Sequence, residues 1–460
     1  MLEKLLNLIR KVVSKLFSST TVEKELDTDI ITSPEMSVSV DLWSKMYQGV
    51  PPWLSGTVKG FNLSSSIAAE IARLVTLEME SNVVNNTYLD EQYQVVIDDI
   101  RRYTEYACAK GGIVFKPYAN GENIEVDITQ ADYFFPTATN SRGEITGAVF
   151  LDTKSVGDYV YTRLEEHSLV GTTYTIKNRA FLNTNAEYSD NLGKEIPLTD
   201  VEEWAELAPE VTIQNIKKPL FAYFKMPFAN TIDTGSPLGV SVYSRAVGDL
   251  EELDKQYSRI LWEYEGSELA VDASIDCFKL DVYGNPILPQ GKERLFRSLF
   301  FSSDTEKDSI KTFSPDIRDV SLFNGLDKLL RQIEFKCGLA YGTLSDPQNV
   351  DKTAEEIKTS KQRSYQTIKD TQKSLEKALK HLVYCMEVVG NLSGLPTGLN
   401  NEVTFEWDDS ILVDEATERQ QDRQDVAMGV MSLIEYRVKW YSETKEEAAK
   451  NIPQQADTIQ

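Results

Sequence analysis

The apolar residues of this chain recur at two periods, and the places where one gives way to the other outline its elements. In MLEKLLNLIRKVVSKLF, residues 1–17, Leu2, Leu5, Leu6, Ile9, Val12, Val13 and Leu16 fall on one helical stripe. Lys4, Arg10, Lys11 and Lys15 interrupt any continuous apolar run, so this segment is too short and too charged to cross a bilayer. No small-residue cleavage pattern follows it. A basic amphipathic helix docks on its own protein or a partner, or lies on a membrane surface; docking is the expectation here. Helical spacing returns in NLSSSIAAEIARLVTLEM, where Ser64, Ser65 and Ser66 offer caps ahead of Ile67, Ile71, Leu74 and Val75. It returns again in LDEQYQVVIDDIRRYTEYACAKGG, read as one helix stopped by Gly111 and Gly112. Alternation takes over at IVFKPYANGENIEVDI, with a hairpin turn at Asn120 and Gly121. ADYFFPTA, ITGAVFLDT, DYVYTRLEEH and TYTIKNRAFL continue it, so an antiparallel sheet over about 110–225, packed with the earlier helices, is expected.

Beyond residue 235 the helical period dominates. Ser236 before Pro237 marks a helix start, because proline at the first helical position loses no hydrogen bond. Tyr243, Leu250, Tyr257 and Tyr264 recur every seven residues, with Ala246, Leu253 and Ile260 beside them. Asp249, Glu251, Glu252, Lys255 and Arg259 lie opposite. So narrow a stripe suits helices side by side, either from neighbouring copies or within an intrachain hairpin; spacing does not choose between them. Pro286, Pro289 and Gly291 exclude a long helix next, where short strands and a turn at Gly284, Asn285 and Pro286 fit. After Pro315, a helix through IRDVSLFNGLDKLLRQIEFKCG stops near Gly338. A bare polar loop, broken by Gly342, Pro347 and Asn349, then leads to a capping box of Thr353 and Glu356. The helix it opens runs from 354 to about 389, wet in its first half and packed in its second. A strand-like EVTFEWDDSIL and a last helical region over roughly 414–450 follow. Ala427, Val430, Met431, Ile434 and Val438 give that region one apolar face. The fold class expected is α+β, predominantly helical.

The length of 460 residues allows for roughly three folding units. A net charge of −24 argues against a protein that grips DNA by neutralising phosphates, which needs a basic footprint. Its first reading is a soluble acidic surface, and it is compatible with a protein that lets DNA pass without adhering. Cys108, Cys277, Cys337 and Cys385 show no CxxC pairing, so zinc and thioredoxin-like chemistry lack support; each is read as a small buried hydrophobe in a reducing compartment. His167 and His381 have no metal-like or triad-like sequence neighbours and are read as structural. There is no phosphate-binding loop, nucleophile elbow, HExxH or dinucleotide fingerprint. Acidic pairs such as those in WDDS and VIDDIRR are read as solvated surface, since acid–base work needs a cleft that separates their pKa values. No catalytic residue, metal or cofactor is expected.

Three stretches, in order, carry a resemblance to a known family: MPFANTIDTGSPLGVSVYSRAVGDLEELDKQYSRILWEYEGSELAVDAS, LDKLLRQIEFKCGLAYGTLSDPQNVDKTAEEIKTS and QDVAMGVMSLIEYRVKWYSETKEEAAKNI. The chain resembles the portal proteins of tailed bacteriophages, in the branch found in siphophages of Gram-positive hosts. That resemblance implies a non-enzymatic ring, usually of twelve subunits, at one vertex of the capsid. A separate terminase motor would package double-stranded DNA through its channel, and the DNA would later leave by it. The implied regions are an N-terminal amphipathic helix at 1–24, a wing at 25–235, a first stem helix at 236–266, a clip at 267–313 and a second stem helix at 314–338. A tunnel loop at 339–352, a long helix at 353–389 and a crown with tail at 390–460 complete them. Gln348, Asn349, Asp351 and Lys352 would face DNA from the tunnel loop, with Lys328 and Arg331 of the second stem helix as further channel cations. Tyr243, Leu250, Leu253, Tyr257 and Ile260 would form a seam between subunits. Implied partners are further copies, the major capsid protein and scaffold, the terminase large subunit, a head–tail connector, and duplex DNA without sequence specificity. The implied location is the virion, with synthesis in the host cytoplasm. Two other readings stay open: an oligomeric adaptor or scaffold of a particle that carries no genome, and a carboxylate-based hydrolase.

Overall fold

The computed structural model describes residues 19–26, 29–157, 159–184, 192–274, 277–288, 295–299, 310–346, 354–407, 415–441 and 443–452. They fall into a larger unit, residues 1–76 and 82–403, and a smaller one, residues 77–81 and 404–460. The amphipathic stripe at 1–17 and the capping box at Thr353 lie outside the described residues.

Five helices open the larger unit: α1 (Ser19–Leu26), α2 (Pro34–Tyr47), α3 (Leu63–Val75), α4 (Thr87–Asp98) and α5 (Ile100–Lys110). Ser33 caps α2 by accepting from the Met36 N–H, and proline occupies the first turn. The serines expected to cap α3 lie inside its first turn; left-handed Asn62 precedes it instead. The single helix expected ahead of Gly111 is two, divided at Asp99. Gly111 ends the second of them in the left-handed conformation, at φ 91°.

Strand β1 (Met79–Val83) precedes α4. Strands β2 (Gly112–Asn120) and β3 (Asn123–Gln130) form the expected hairpin, with Gly121 at φ 61° in the turn. Next come β4 (Phe134–Thr139), β5 (Ile145–Val156), β6 (Tyr159–Val170), β7 (Thr173–Asn183), β8 (Lys194–Ile196) and β9 (Glu210–Ile213). They make a six-stranded sheet in the order β4-β5-β6-β7-β8, with β9 also on β7. β10 (Ala222–Lys225) joins β2. Every pairing in these two sheets is antiparallel. Phe135, Val149, Leu151, Leu164 and Phe181 pack with Val22 of α1 and Ile30, while α4 and α5 pack on the β2–β3 hairpin, as expected of the helices that precede it.

The first long helix starts ten residues later than Pro237 suggests: α6 (Val247–Gly266) follows a 3-10 turn at Ser244–Ala246. Tertiary contact explains the delay. A Cβ on Gly239 would meet the Gly111 carbonyl oxygen at 2.1 Å, so the two backbones touch. The Val242 N–H donates to the Cys108 carbonyl (3.0 Å), and the Tyr243 hydroxyl donates to the Trp43 carbonyl (3.0 Å). These bonds hold residues 239–243 out of the helix, against α5 and α2. Beyond α6 comes a small strand-bearing tip: β11 (Ala270–Ser274), β12 (Lys279–Leu280), β13 (Pro286–Ile287), β14 (Phe296–Leu299) and β15 (Ile310–Phe313). The turn expected at Gly284 is held by Asp281, whose Oδ1 accepts from the N–H groups of Tyr283 and Asn285. Helix α7 (Asp319–Cys337) returns, packs on α6 and ends at Gly338, φ 75°. Helix α8 (Ala354–Leu392) buries Leu375, Leu379, Leu382 and Met386 in its second half, as its apolar pattern requires.

In the smaller unit, β16 (Val403–Trp407) pairs with β1. The single helical region expected there is instead α9 (Glu415–Ala427), α10 (Leu433–Tyr441) and α11 (Lys445–Lys450), broken where Gly429 takes φ 75°. The break undoes the apolar face: Ala427 and Val430 are exposed, and α10 buries Tyr436 instead. Its hydroxyl accepts from the guanidinium groups of Arg419 and Arg423. Helix and strand thus share the described residues in a mixed α/β architecture. No helix among them is long and apolar enough to cross a membrane. Cys108, Cys337 and Cys385 are buried as expected, but Cys277 is exposed in the tip.

Candidate functional site

The hairpin of α6 and α7 is built on two buried stripes. Leu250, Leu253 and Ile260 of α6 and Leu326, Leu330, Ile333 and Cys337 of α7 are all buried. Ion pairs tie the helices at both ends. The Arg318 guanidinium binds Glu263 through Nε (2.9 Å) and Nη2 (2.7 Å), and this bond holds the Glu263 carboxyl below its usual range. Lys336 meets Asp249 at 2.5 Å. Asp254, also buried, accepts from the Trp53 indole N–H (2.8 Å) and the Phe61 N–H (2.7 Å), fixing the 53–61 loop to α6.

These positions correct the expected subunit seam. Tyr243, Leu250, Leu253 and Ile260 are each no more than 3% exposed within one chain, so no second copy is needed to cover them. Tyr257 is half-buried, edge-on to Phe61 at 5.1 Å. A heptad stripe reports that a helix has a partner, not whose partner it is, and here the partners are intrachain. The hairpin's uncovered apolar side chains are others: Leu261, Trp262, Tyr264, Val320 and Phe323 are exposed, Trp262 at 67% and Val320 at 69%.

At the C-terminal end of α7 the chain enters the polar segment, and its root is not bare. The Glu334 carboxylate is fully buried. Its Oε1 accepts from the N–H groups of Gly342 (3.1 Å), Leu344 (2.6 Å) and Ser345 (2.9 Å), and its Oε2 from the Ser345 hydroxyl (2.9 Å). A buried carboxylate is tolerable only when so satisfied. Two turns earlier, Asp327 accepts from the Asp346 N–H (2.9 Å) and pairs with Arg331 (2.7 Å). The Arg363 guanidinium of α8 lies 4.4 Å from the Phe335 ring and 5.8 Å from the Tyr341 ring. Residues 339–346 are therefore stitched to α7. Gln348, Asn349, Asp351 and Lys352 lie outside the described residues. Of the two helix cations, Lys328 is exposed, whereas Arg331 is neutralised by Asp327. Sequence reasoning missed Glu334 and Asp327; their only signal is carboxylates one and three turns before a helix-ending glycine.

The sheet holds a second cluster of charge. Lys116 meets Glu165 at 2.6 Å, Arg163 meets it at 3.2 Å, and His167 Nε2 lies 2.6 Å from its other oxygen. His167 Nδ1 is 2.6 Å from the Tyr174 hydroxyl. Burial lowers the His167 pKa, against the pull of Glu165, and raises that of Tyr174 well above the phenol range. Although burial opposes it, Lys116, His167 and Arg163 together hold Glu165 well below the usual carboxylate range. A neutral imidazole then donates from Nε2 and accepts at Nδ1. With both nitrogens engaged, His167 is a cross-brace of the sheet, as read from sequence. His381 likewise donates to the Pro219 carbonyl (2.9 Å), and burial brings its pKa down to about 4. No group of metal-ligating side chains occurs among the described residues.

A hairpin with an intervening strand-bearing tip, a stitched loop root and a long return helix is thus the geometry at hand. Residues 73–460 match the family described as Phage portal protein, SPP1 Gp6-like. The chain belongs to that family of phage portal proteins. A curated set of protein sequences holds no match to it. Among solved structures, this portal-family chain is similar to one from the neck of a native GTA particle computed with C12 symmetry. The two are 12% identical with a TM-score of 0.42, over 90% of this chain and 95% of that one.

Proposed function

We propose that copies of this portal-family chain close into a ring, of twelve subunits as the family resemblance implies, whose axial channel passes double-stranded DNA into and out of the capsid. The observation that carries the reading is the hairpin's divided surface. Its inner stripes are buried within the chain, while Trp262, Val320, Phe323 and their neighbours stand exposed. Large apolar side chains left exposed on such a hairpin suit burial by a neighbouring copy. The chain's net charge of −24 suits a conduit, because an acidic lining repels the phosphate backbone instead of exchanging counterions with it. In this reading the wing is 25–235, the stem the hairpin, the clip its tip, and the crown 390–460. Gln348, Asn349, Asp351 and Lys352, which follow the root that Glu334 and Asp327 hold, are the residues assigned to the duplex in this reading. The terminase large subunit and later a head–tail connector engage the clip, and the major capsid protein and scaffold surround the wing. The host is Gram-positive, and the role is structural, without catalysis. Carboxylate hydrolysis finds little support, since the buried acids Glu334, Asp254 and Glu165 are each occupied by donors of the chain itself.

Deleting residues 347–350 tests the loop's role, because the cut begins after the stitched root. The expected outcome is intact assembly with impaired DNA packaging or retention in reconstituted particles. Loss of assembly, or packaging at the normal level, would contradict it.

A further inference from the structure

A cavity of about 1080 Å³ opens between the β4–β5 turn, residues 217–229 and α8. In a chain of net charge −24 its rim is basic: Arg142, Lys217, Lys218, Lys373, Lys377 and Lys380 stand against Glu144 and Glu376. All six cations are exposed. Lys377 is met by Glu144 at 3.3 Å and Lys380 by Glu376 at 2.5 Å, but Lys217 and Lys373 form no ion pair among the described residues. The floor is apolar, with Pro219, Phe221 and Ala378 buried beneath the rim. The same unit carries the complement. In the segment 202–207, Glu202, Glu203 and Glu206 are exposed beside Leu207, while Trp204 anchors the segment in a core with Ala180, Leu198 and Val201. Glu203 pairs with Lys154; Glu202 and Glu206 form no ion pair among the described residues.

Groove and segment lie at opposite ends of the six-stranded sheet. The groove takes in Ile145, where β5 begins, and Leu169, where β6 ends. The acidic segment sits beside Asp152, toward the far end of β5, to which the Trp204 indole N–H donates (3.1 Å). Seven or so strand residues separate them, roughly 23 Å at the usual rise. One chain cannot bring the two together, whereas a second copy can. We propose that the basic groove of one copy receives the 202–207 segment of the next, with Leu207 over the Phe221 floor and Glu202 and Glu206 against Lys217 and Lys373. Such a head-to-tail contact uses different surfaces on the two copies and closes a ring when the rotation repeats. It rests on the ring reading above and supplies a wing contact to it. Duplex DNA is the competing occupant. Its phosphates would meet the rim, yet a duplex has no apolar group to fill the floor.

The test is reciprocal charge exchange, read by mass photometry across protein concentration. Lys217→Glu with Lys373→Glu, and separately Glu202→Lys with Glu206→Lys, should each raise the concentration for half-assembly roughly tenfold or more. All four substitutions in one chain should bring it back toward the wild-type value. Wild-type assembly by either pair alone, or no recovery in the combined chain, overturns the contact while leaving the ring standing. Failure of the unsubstituted protein to assemble at any concentration overturns the ring itself. Lys217→Gln with Lys373→Gln, which adds no repulsion, should act in the same direction and guards against misfolding of the charge-reversed pair. Should that variant assemble normally but bind a fluorescent DNA duplex less well in anisotropy, the groove is a nucleic-acid site and the proposal fails.

Discussion

Where the two antiparallel sheets meet, buried charges answer one another side chain to side chain: Lys116 of β2 and Arg163 and His167 of β6 converge on Glu165, and nearby Lys110 meets Asp132 at 2.5 Å. In the helical hairpin, the fully buried carboxylate of Glu334 is answered by backbone N–H groups and one serine, and large apolar side chains remain uncovered. The buried charges of the sheet region are satisfied within one chain. The hairpin is complete only on its inner side. Paired buried charges fix a rigid body, while a carboxylate that binds backbone shapes the start of a loop.

The contrast can be broken first on the sheet side. Lys110→Met removes the cation from a pair in which both side chains are 6% exposed, leaving Asp132 buried with only the Ser44 hydroxyl. A loss of about 3–5 kcal/mol in chemical denaturation is expected; a loss under about 1 kcal/mol would show that the carboxyl simply takes up a proton. Next is the loop root. Glu334→Ala strands three backbone N–H groups and should cost about 3 kcal/mol, with faster hydrogen exchange confined to 339–346. Glu334→Gln keeps an acceptor for them and should cost about 1 kcal/mol. Equal effects of the two would mean that the carboxylate does not set the loop.

A smaller effect comes from acid. The His381 pKa falls from 6.5 to about 4 on burial. Between those values the unfolded chain binds a proton that the folded chain refuses. The folded state is therefore undisturbed above pH 6.5 and loses stability as pH falls. From pH 6.5 to 5 this group accounts for about 2 kcal/mol. His381→Asn should flatten the stability–pH curve over that window relative to wild type; an unchanged slope would assign it to other groups. Smallest for the isolated chain is Trp262→Ser on the outer face of the hairpin, which should alter monomer stability by no more than about 0.5 kcal/mol. The same substitution should weaken assembly, and a monomer destabilised by several kcal/mol would place Trp262 in the chain's own core.

What was legible in the sequence followed from locality. The alternation of β2 to β7, the glycine stops at Gly111 and Gly338, and the apolar second half of α8 depend on neighbours within a turn or a hairpin. The helix start at Val247 did not, because Gly239 and Tyr243 are held by contacts reaching back to Gly111 and Trp43. The stripe through Leu250, Leu253 and Ile260 announced a helix pair without saying whether its partner lay in the same chain. The loop segment seemed bare because its anchors, Glu334 and Asp327, look from sequence like two more surface acids among the chain's 72 carboxylates. Only the curl of residues 339–346 back onto α7 brings them together.

The measurement that bears most directly on the central claim is imaging of the purified full chain as two-dimensional class averages, with its mass determined in parallel. A closed ring of many 52.0 kDa subunits, with a central lumen wide enough for duplex DNA, is the result expected. A particle of one subunit's mass, or an assembly without a through-going lumen, would contradict it.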